Sequence, residues 1–310
     1  MTEVLTLGET MASLRATGPV RLGGTLRLSV AGSESNVAIG LARLGHRVAW
    51  VGVTGDDELG RLVLRTLRAE GVAIDGCRVL TGARTGIVLF EPQVPGVTRV
   101  DYHREGSAGS RLGAADVTGK VTSSLRLLHV TGITPALGPG PREAVLVAIA
   151  EARANGVPVS FDVNYRRSLW DPETAASTMA PLMEHVDLLF AAADELRIVA
   201  PGAPDPVAHL RDCGVREVIV HAADGATVHS EAGAVREAAV PVTAVDTVGA
   251  GDAFVTGYLS GTLDGLTTHE RLRRAVATAA CAVATAGDWE GLPTRGDLAV
   301  LSTEAGGAVR

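Results

Sequence analysis

The segment VDTVGAGDAFVTGYLSG, residues 245–261, decides the fold class of this chain. It follows an apolar, strand-like run and continues into an apolar helical stretch, so the glycines fall at the turn into a helix. Because glycine has no Cβ, the backbone N–H groups of Gly249, Ala250 and Gly251 can converge on one point, where the helix dipole adds about half a positive charge. The turn is therefore a candidate anion hole for a phosphoryl group in transfer.

Asp252 follows this turn directly and projects from the first helical turn beside the candidate anion hole. With an ordinary pKa near ~3.9 it is ionised at pH 7, so it can orient a substrate hydroxyl and accept its proton. A plainer interpretation also exists, because a Gly-x-Gly turn is often only tight and an Asp at a helix start is often only a favourable charge. A dinucleotide-binding motif is excluded, since Phe254 stands where its third glycine belongs.

The composition narrows the classes of protein that this chain can belong to. Its 310 residues allow two domains, or one large α/β unit with an appendage. Apolar residues make up 46% and charged residues 20%, as in folded globular proteins. The net charge of −7 gives no positive field for nucleic acid or anionic lipid. Three scattered cysteines and an acidic start without a long apolar stretch predict a cytoplasmic protein with no membrane segment.

Short β-branched runs alternate with amphipathic helical stretches, the pattern of a mostly parallel sheet covered on both faces. The predicted strands cover residues 3–8, 46–53, 125–133, 157–163, 186–191 and 217–221. The predicted helices cover residues 35–44, 58–70, 142–155, 174–184, 251–263 and 270–286. The expected fold class is therefore α/β.

Two segments, residues 11–31 and 84–104, interrupt this alternation. They contain strand-like patterns, as in VTRVDYHR (97–104), separated by Gly and Pro turns with no helix between them. Each segment is inserted between units of the α/β core. We therefore expect a single domain of residues 1–310, with one small antiparallel lid sheet assembled from the two inserts.

Two motifs carry a resemblance to a known family. DTVGAGDAF (246–254) resembles the C-terminal signature of the ribokinase-like, or PfkB, carbohydrate kinases, and AGSESNVAIGLARLGHRVAWVGVTGDDELG (31–60) resembles their N-terminal glycine-rich signature. The two signatures occur in the same order as in the family and at opposite ends of the chain, so the resemblance covers essentially its whole length. It implies a three-layer α/β/α core with a β lid over the sugar, ATP and Mg²⁺ as cofactors, Asp252 as catalytic base and residues 249–251 as anion hole.

The N-terminal signature lines the sugar pocket in this family. By that resemblance Gly32 lets a ligand approach the backbone, and the neighbouring polar side chains bond sugar hydroxyls. The residues expected to contact the sugar here are Gly32, Ser33, Glu34 and Asn36. Glu34 would also be a favourable charge in the first turn of a helix without any ligand.

Two arginines favour an acidic sugar. Asn164 and Arg166, in DVNYRRSLW (162–170), follow a predicted strand at the edge where open α/β sheets bind ligands. Arg104 ends a predicted lid strand. Because arginine binds carboxylates bidentately, arginines converging from core and lid suit a sugar acid. By spacing alone, both also fit ordinary surface arginines.

Three stretches resemble 2-keto-3-deoxygluconate kinases in particular. DVNYRRSLW resembles their DxNxRxxLW segment, YHREGSA (102–108) their lid motif and GDWEGLPTR (287–295) their closing motif. The resemblance implies that Arg104 and Arg166 hold the substrate carboxylate, that Tyr102 lines the pocket, and that the product is 2-keto-3-deoxy-6-phosphogluconate. We also expect a homodimer through the lids. A small sheet cannot bury both of its faces by itself, and this one presents the apolar residues Ile87, Leu89, Val97 and Val100.

The chain departs from the family in its metal and nucleotide regions. LFAAADEL (189–196) has Ala192 where the family has the Asn of an NxxE motif, and it keeps Glu195, which we expect to hold Mg²⁺ weakly through water. VIVHAADGA (218–226) has His221 where a lysine is common. The expected ATP contacts are His221, Gly225, Thr247, Gly249 and Gly251.

Three other functions are alternatives to a sugar-acid kinase. A fructokinase or ribokinase acting on a neutral sugar is distinguished by whether Arg104 and Arg166 face the pocket. A non-catalytic sugar sensor is suggested by Ala192 and opposed by the intact Asp252. An aldolase with a Schiff-base lysine would have to use Lys120, the only lysine in the chain.

Overall fold

The computed structural model describes residues 2–94 and 97–303, with side chains as far as residue 299. Residues 1, 95, 96 and 304–310 of the expected domain lie outside these ranges. The strands are β1 (Val4–Leu7), β2 (Met11–Ala16), β3 (Leu26–Ala31), β4 (Val48–Val51), β5 (Val53–Gly55), β6 (Arg78–Leu80), β7 (Ile87–Val94), β8 (Val97–His103), β9 (Leu127–Thr131), β10 (Val159–Asp162), β11 (Leu188–Ala192), β12 (Glu217–Ala222), β13 (Gly225–Ser230) and β14 (Gly233–Ala238).

The described helices alternate with these strands over most of the chain. They are α1 (Ser33–Arg43), α2 (Glu58–Ala69), α3 (Ala114–Val117), α4 (Ile133–Ala136), α5 (Pro139–Asn155), α6 (Pro172–Met179), α7 (Leu196–Val199), α8 (Pro206–Asp212), α9 (Ala250–Leu263), α10 (Thr268–Val283) and α11 (Arg295–Thr303). No helix in the described part of the chain has the length and apolarity that crossing a membrane requires.

Eight strands form the main sheet, in the order β14-β13-β12-β11-β10-β9-β1-β4. Neighbours from β12 to β4 are parallel, and β12–β13 and β13–β14 are antiparallel. A hydrophobic core lies on each face of this sheet. Successive side chains of a strand point to opposite faces, so Val4 packs in one core and Leu5 in the other. Helices α1, α2, α9 and α10 cover one face, and α3 and α5 to α8 cover the other. The expected three-layer α/β/α fold is confirmed.

The second sheet has the order β3-β2-β7-β8. Its two hairpins, β2–β3 and β7–β8, are antiparallel, as expected. The central pair β2–β7 is parallel, so the expectation of a wholly antiparallel sheet is wrong. The reason is that β2 and β7 are each the first strand of one of the two inserts, and the two hairpins pair with each other through these first strands. A small third sheet pairs β5 with β6.

Three local predictions differ from the structure. The edge strands β13 and β14 were not predicted, because residues 225–238 are too polar and small to show an apolar pattern. The strand-like run before residue 245 is not a strand, and Pro241 in it lacks the N–H that a ladder needs. The helix predicted at 174–184 ends as α6 at Met179 and continues as a 3-10 turn, Ala180–His185, that contains Pro181.

The turn into α9 depends on one glycine. Gly249 has a φ of 78°, in the left-handed region, and a Cβ there would lie 2.1 Å from the carbonyl oxygen of Asp288. A Cβ on Gly251, in the first turn of α9, would meet no atom within 4 Å. The position of the helix N-terminus is therefore set by a backbone approach that only glycine permits at position 249.

We expect Gly249→Ala to lower the free energy of unfolding by at least about 2 kcal/mol, because the left-handed conformation alone costs about 1–2 kcal/mol and the contact with Asp288 adds to it. Gly251→Ala is the matched control, since alanine fits a helical position. Urea denaturation of both variants measures the difference. Equal losses of stability in the two variants would contradict this account of the turn.

Candidate active site

A cavity of about 430 Å³ opens between the carboxyl ends of the main-sheet strands and the second sheet. We call it the polar cavity. It brings together most of the residues predicted from the sequence: Gly32, Ser33, Glu34, Asn36, Tyr102, Arg104, Asn164, Arg166, Glu195, His221, Thr247, Gly249, Gly251 and Asp252. The two remaining ones, Ala250 and Gly225, line the neighbouring cavity.

The neighbouring cavity, of about 610 Å³, is called the apolar cavity. Its walls include Val242, Phe254 and Val276. The two cavities share Ala192, His221, Thr247 and Gly251, so they meet at the glycine turn. The His221 ring lies 5.6 Å from the Phe254 ring, and burial lowers the pKa of this histidine, which favours its neutral form. A polar and an apolar compartment thus lie on either side of the candidate anion hole.

Asp252 is buried at the N-terminus of α9, with 9% of its surface exposed. The Ser33 hydroxyl donates to Oδ1 at 2.6 Å, and the Asn36 amide donates to Oδ2 at 2.8 Å. Both donors come from the first turn of α1. Burial raises the pKa of Asp252, while these two donors and the charge of Arg166 oppose the rise. The expectation of an ordinary pKa is therefore wrong, because the packing around Asp252 removes its carboxylate from water.

Asn164 extends this hydrogen-bonded chain. Its φ of 40° makes it the one non-glycine residue with positive φ within residues 2–94 and 97–303. Its amide donates to the Ser33 hydroxyl at 2.8 Å and more weakly to Asp162 at 3.3 Å. Because asparagine tolerates the left-handed region, it can end a strand and still turn its amide toward the cavity. Because the Ser33 oxygen accepts a hydrogen bond from Asn164, its own hydroxyl proton is free to bond Asp252.

Glu34 is fully buried beside the same wall. Its Oε1 accepts hydrogen bonds from the hydroxyls of Thr131, at 2.7 Å, and Thr134. Burial raises the pKa of this carboxyl, and the two threonines oppose the rise. Asn36 Oδ1 is buried and has no hydrogen-bond partner among the described residues, so it can accept one from a ligand hydroxyl. No sequence signal pointed to the threonines.

Arg104 and Arg166 both line the polar cavity but are held very differently. Arg104 is nearly buried, and its Nε donates to Glu9 Oε2 at 2.8 Å. Arg166 is exposed, and its Nη1 donates to the Tyr165 carbonyl at 3.4 Å. Tyr102 lies beside Arg104, with its ring 5.6 Å from the guanidinium carbon. Sequence analysis missed Glu9, although an acidic residue just after the first predicted strand was a usable signal.

The carboxylate of Glu195 is already bonded to backbone. Its Oε1 accepts from the Tyr165 N–H at 2.7 Å, and its Oε2 accepts from the Ala192 N–H at 2.8 Å. Asp162, which sequence analysis missed, is 4% exposed. Burial raises its pKa well above the usual range, and the charges of Glu195 and Asp252 add to the rise. Within the described residues no three metal-ligating side chains form a cluster.

Two further acids, also missed, hold the second sheet against the core. Arg15, in β2, forms ion pairs with Asp246 and, at 2.9 Å, with Asp288. Asp288 lines the polar cavity, and burial raises its pKa to about 6. Glu290 bonds the backbone N–H groups of residues 288 and 289. The motif GDWEGLPTR thus supplies both the carbonyl that packs on Gly249 and a carboxylate for Arg15.

Comparison with known proteins agrees with this geometry. The chain is 36% identical to the 2-dehydro-3-deoxygluconokinase of Thermoproteus tenax over 305 residues, covering 95% of this chain and 92% of that protein. It is also 36% identical to the 2-dehydro-3-deoxygluconokinase of Bacillus subtilis, covering 96% and 94%. A candidate ribokinase II from E. coli, solved with ATP and Mg²⁺, superposes with a TM-score of 0.91 at 25% identity, covering 97% of this chain and 99% of that one. The family model for pfkB family carbohydrate kinases matches residues 1–295, and this chain belongs to that family.

Proposed function

We propose that this carbohydrate kinase transfers a phosphoryl group from ATP to the 6-hydroxyl of 2-keto-3-deoxygluconate. The observation that carries the proposal is the presence of Arg104 and Arg166 in the wall of the cavity that contains Asp252. Two cations in one cavity suit a substrate with a carboxylate, and a neutral sugar does not require them. The names of the relatives from Thermoproteus tenax and Bacillus subtilis support the same substrate.

The apolar cavity fits the nucleotide. Its walls, which include Val242, Phe254 and Val276, suit the flat and largely apolar adenine ring. His221, Gly225 and Thr247 lie there too, in keeping with the expected ATP contacts. ATP bound with its base in this cavity supplies the phosphoryl group across the glycine turn. The use of ATP and the three free cysteines support a reducing, cytoplasmic location.

The acidic residues of the polar cavity fit Mg²⁺ held through water. Asp162, Glu195 and Asp252 line one cavity, and burial and mutual repulsion raise the pKa of Asp162. A cation between such carboxylates offsets that repulsion. Glu195 has both oxygens on backbone N–H groups, and Ala192 offers no side-chain ligand. We therefore propose that these residues hold Mg²⁺ mainly through its water shell.

The chain's own residues account for the proton transfer. Ser33 and Asn36 hold the Asp252 carboxylate at the mouth of the glycine turn, where the acceptor hydroxyl of the sugar must lie. The hydroxyl proton passes to an Asp252 oxygen as the hydroxyl oxygen bonds to the γ-phosphorus of ATP, and the bond from that phosphorus to the bridging oxygen breaks and releases ADP. The raised pKa of Asp252 makes it a stronger base than an exposed aspartate. The N–H groups of residues 249–251 stabilise the charge on the transferring group.

Asp252→Asn is expected to lower kcat by a factor on the order of 10² to 10⁴, with little change in the Kd of the sugar, because only the proton acceptor is lost. In the wild-type enzyme, activity should fall as the pH drops through the raised pKa of Asp252, since the protonated form cannot accept a proton. An ADP-release assay and a pH profile measure these effects. Activity within a few-fold of wild type would remove Asp252 as the base.

Arg104→Ala and Arg166→Ala are each expected to lower kcat/KM for 2-keto-3-deoxygluconate about tenfold to more than a hundredfold, because loss of a charged hydrogen-bond partner costs roughly 1.5–3 kcal/mol. For fructose, the same changes should matter little. Arg166→Ala disturbs the fold less than Arg104→Ala, since Arg166 is exposed and forms no ion pair in the described structure. It also removes a charge that lowers the pKa of Asp252, so the variants are compared at a pH well above that pKa. Equal losses on both sugars would mean that the arginines act on ATP, the lid or folding, and would remove the physical support for an acidic sugar.

We also propose a homodimer through the second sheets. Leu14 lies opposite Leu28 on one neighbouring strand and opposite Leu89 on the other, so the three form a row across the sheet. This row lies on the face away from the polar cavity, which Val88 and Phe90 line. Of the residues first expected at the interface, Val97 is exposed, while Ile87, Leu89 and Val100 are half-buried and Val100 lines the polar cavity.

The dimer proposal predicts that Leu28→Lys produces a monomer, because a charge in the middle of the leucine row cannot be buried without a partner. Val79→Lys is a matched control, since Val79 is equally exposed but belongs to β6 and not to the second sheet. Sedimentation velocity over a range of concentrations gives the mass. A wild-type protein that remains monomeric at every concentration would rule out the dimer.

A further inference from the structure

We propose that Glu9 is a positioning residue that holds Arg104 ready for the carboxylate of the sugar. Glu9 follows β1 of the main sheet, and Arg104 follows β8 of the second sheet. Both line the polar cavity, so the pair joins the two sheets where the substrate must enter. The inference rests on the proposed function, because it assigns Glu9 a part in binding a sugar acid.

The contacts leave one edge of the guanidinium for a ligand. Arg104 Nε donates to Glu9 Oε2 at 2.8 Å, and Nη2 is 2.6 Å from the same oxygen. The other carboxylate oxygen, Oε1, accepts from the Ser107 hydroxyl. Despite this short distance Nη2 is buried without a hydrogen bond, and among the described residues no acceptor bonds Nη1. The side of Arg104 that carries Nη1 is therefore available for an anionic ligand.

Two glycines confine the carboxylate of Glu9. A Cβ on Gly109 would lie 2.2 Å from Glu9 Cγ, and a Cβ on Gly86 would lie 2.7 Å from Glu9 Oε1. Neither position has room for a side chain while Glu9 is in place. Glu9 itself is 3% exposed. The surrounding backbone thus confines the Glu9 carboxylate, and Glu9 in turn restrains the guanidinium of Arg104.

Fixing Arg104 in advance has a physical advantage. A free arginine loses much side-chain entropy when it binds an anion, and a buried arginine without a partner is costly. Glu9 pairs with the buried charge of Arg104 in the ligand-free protein. It also restricts the arginine side chain before the sugar binds, so less side-chain entropy is lost on binding. Arg166, exposed and without such a partner, has no equivalent support. Arg104 is therefore the preorganised half of the proposed carboxylate site.

The test is a double-mutant cycle with Glu9→Gln, Arg104→Ala and both together, assayed on 2-keto-3-deoxygluconate and fructose. Glu9→Gln should raise the KM for the acid about tenfold, with kcat and the constants for fructose changed by less than about threefold. In the Arg104→Ala background, Glu9→Gln should cause no further loss and should raise the melting temperature, because it removes a buried carboxylate that has lost its cation.

Glu217→Gln is the matched control. Glu217 accepts two hydrogen bonds from Arg271 at 2.9 Å and is less buried than Glu9, with 14% of its side chain exposed. It lies where β12 begins, at the ends of the parallel strands opposite to the polar cavity. This variant should lower the melting temperature and leave the KM for the acid unchanged. A Glu9→Gln variant that behaves like the control, or that weakens both sugars equally, overturns the positioning role.

Failure of the proposed function gives a different result. A wild-type protein that binds the acid in calorimetry without phosphorylating it contradicts the proposed function alone, and the cycle is then read from the Kd of the acid. A wild-type protein that binds no 2-keto-3-deoxygluconate overturns both. If Glu9→Gln weakens binding of the sugar by the same factor in the Arg104→Ala background, only the inference about Glu9 is overturned. Glu9 would then act independently of Arg104.

Discussion

The carboxylate of Asp252 is the point on which the arrangement of the site depends. It accepts hydrogen bonds from Ser33 and Asn36, so one buried group joins the first turn of α1 to the first turn of α9. Two helix N-termini that converge on a carboxylate stabilise its charge, while burial opposes it, and burial is the larger effect on the pKa. The same residue thus joins the two segments that resemble the family signatures.

Ion pairs between the second sheet and the core have a consistent arrangement. The second sheet and the residue after it supply the arginines, Arg15 and Arg104, and the core supplies the acids, Asp246, Asp288 and Glu9. Arg104, Glu9 and Asp288 line the polar cavity, and all five charges are paired before any ligand binds. In this arrangement an added anion meets cations that are already desolvated and held in place, which lowers the cost of binding it.

The region expected to hold the metal shows how a departure from a motif is accommodated. With Ala192 in place of an asparagine, Glu195 turns both oxygens to backbone N–H groups, one of them the N–H of Ala192 itself. The carboxylate therefore stabilises the strand end in addition to contributing charge to the cavity. Asp162 lies in the same wall, where burial raises its pKa and the charges of Glu195 and Asp252 add to the rise.

The sequence by itself determined the α/β alternation, the two inserted hairpins, the glycine turn and most of the residues that line the polar cavity. The alternation, the hairpins and the glycine turn follow from periodicity and from the conformational freedom of glycine. The cavity residues were predicted partly from the position of polar residues after strands and partly from the resemblance to the PfkB family. The parallel pairing of β2 with β7, the threonines around Glu34 and the bond between Glu9 and Arg104 were not predictable in this way. Each joins residues more than seventy positions apart in the chain. Only the tertiary structure decides such contacts, and it also decides the pKa of Asp252, because burial depends on what packs around a side chain and not on its neighbours in sequence.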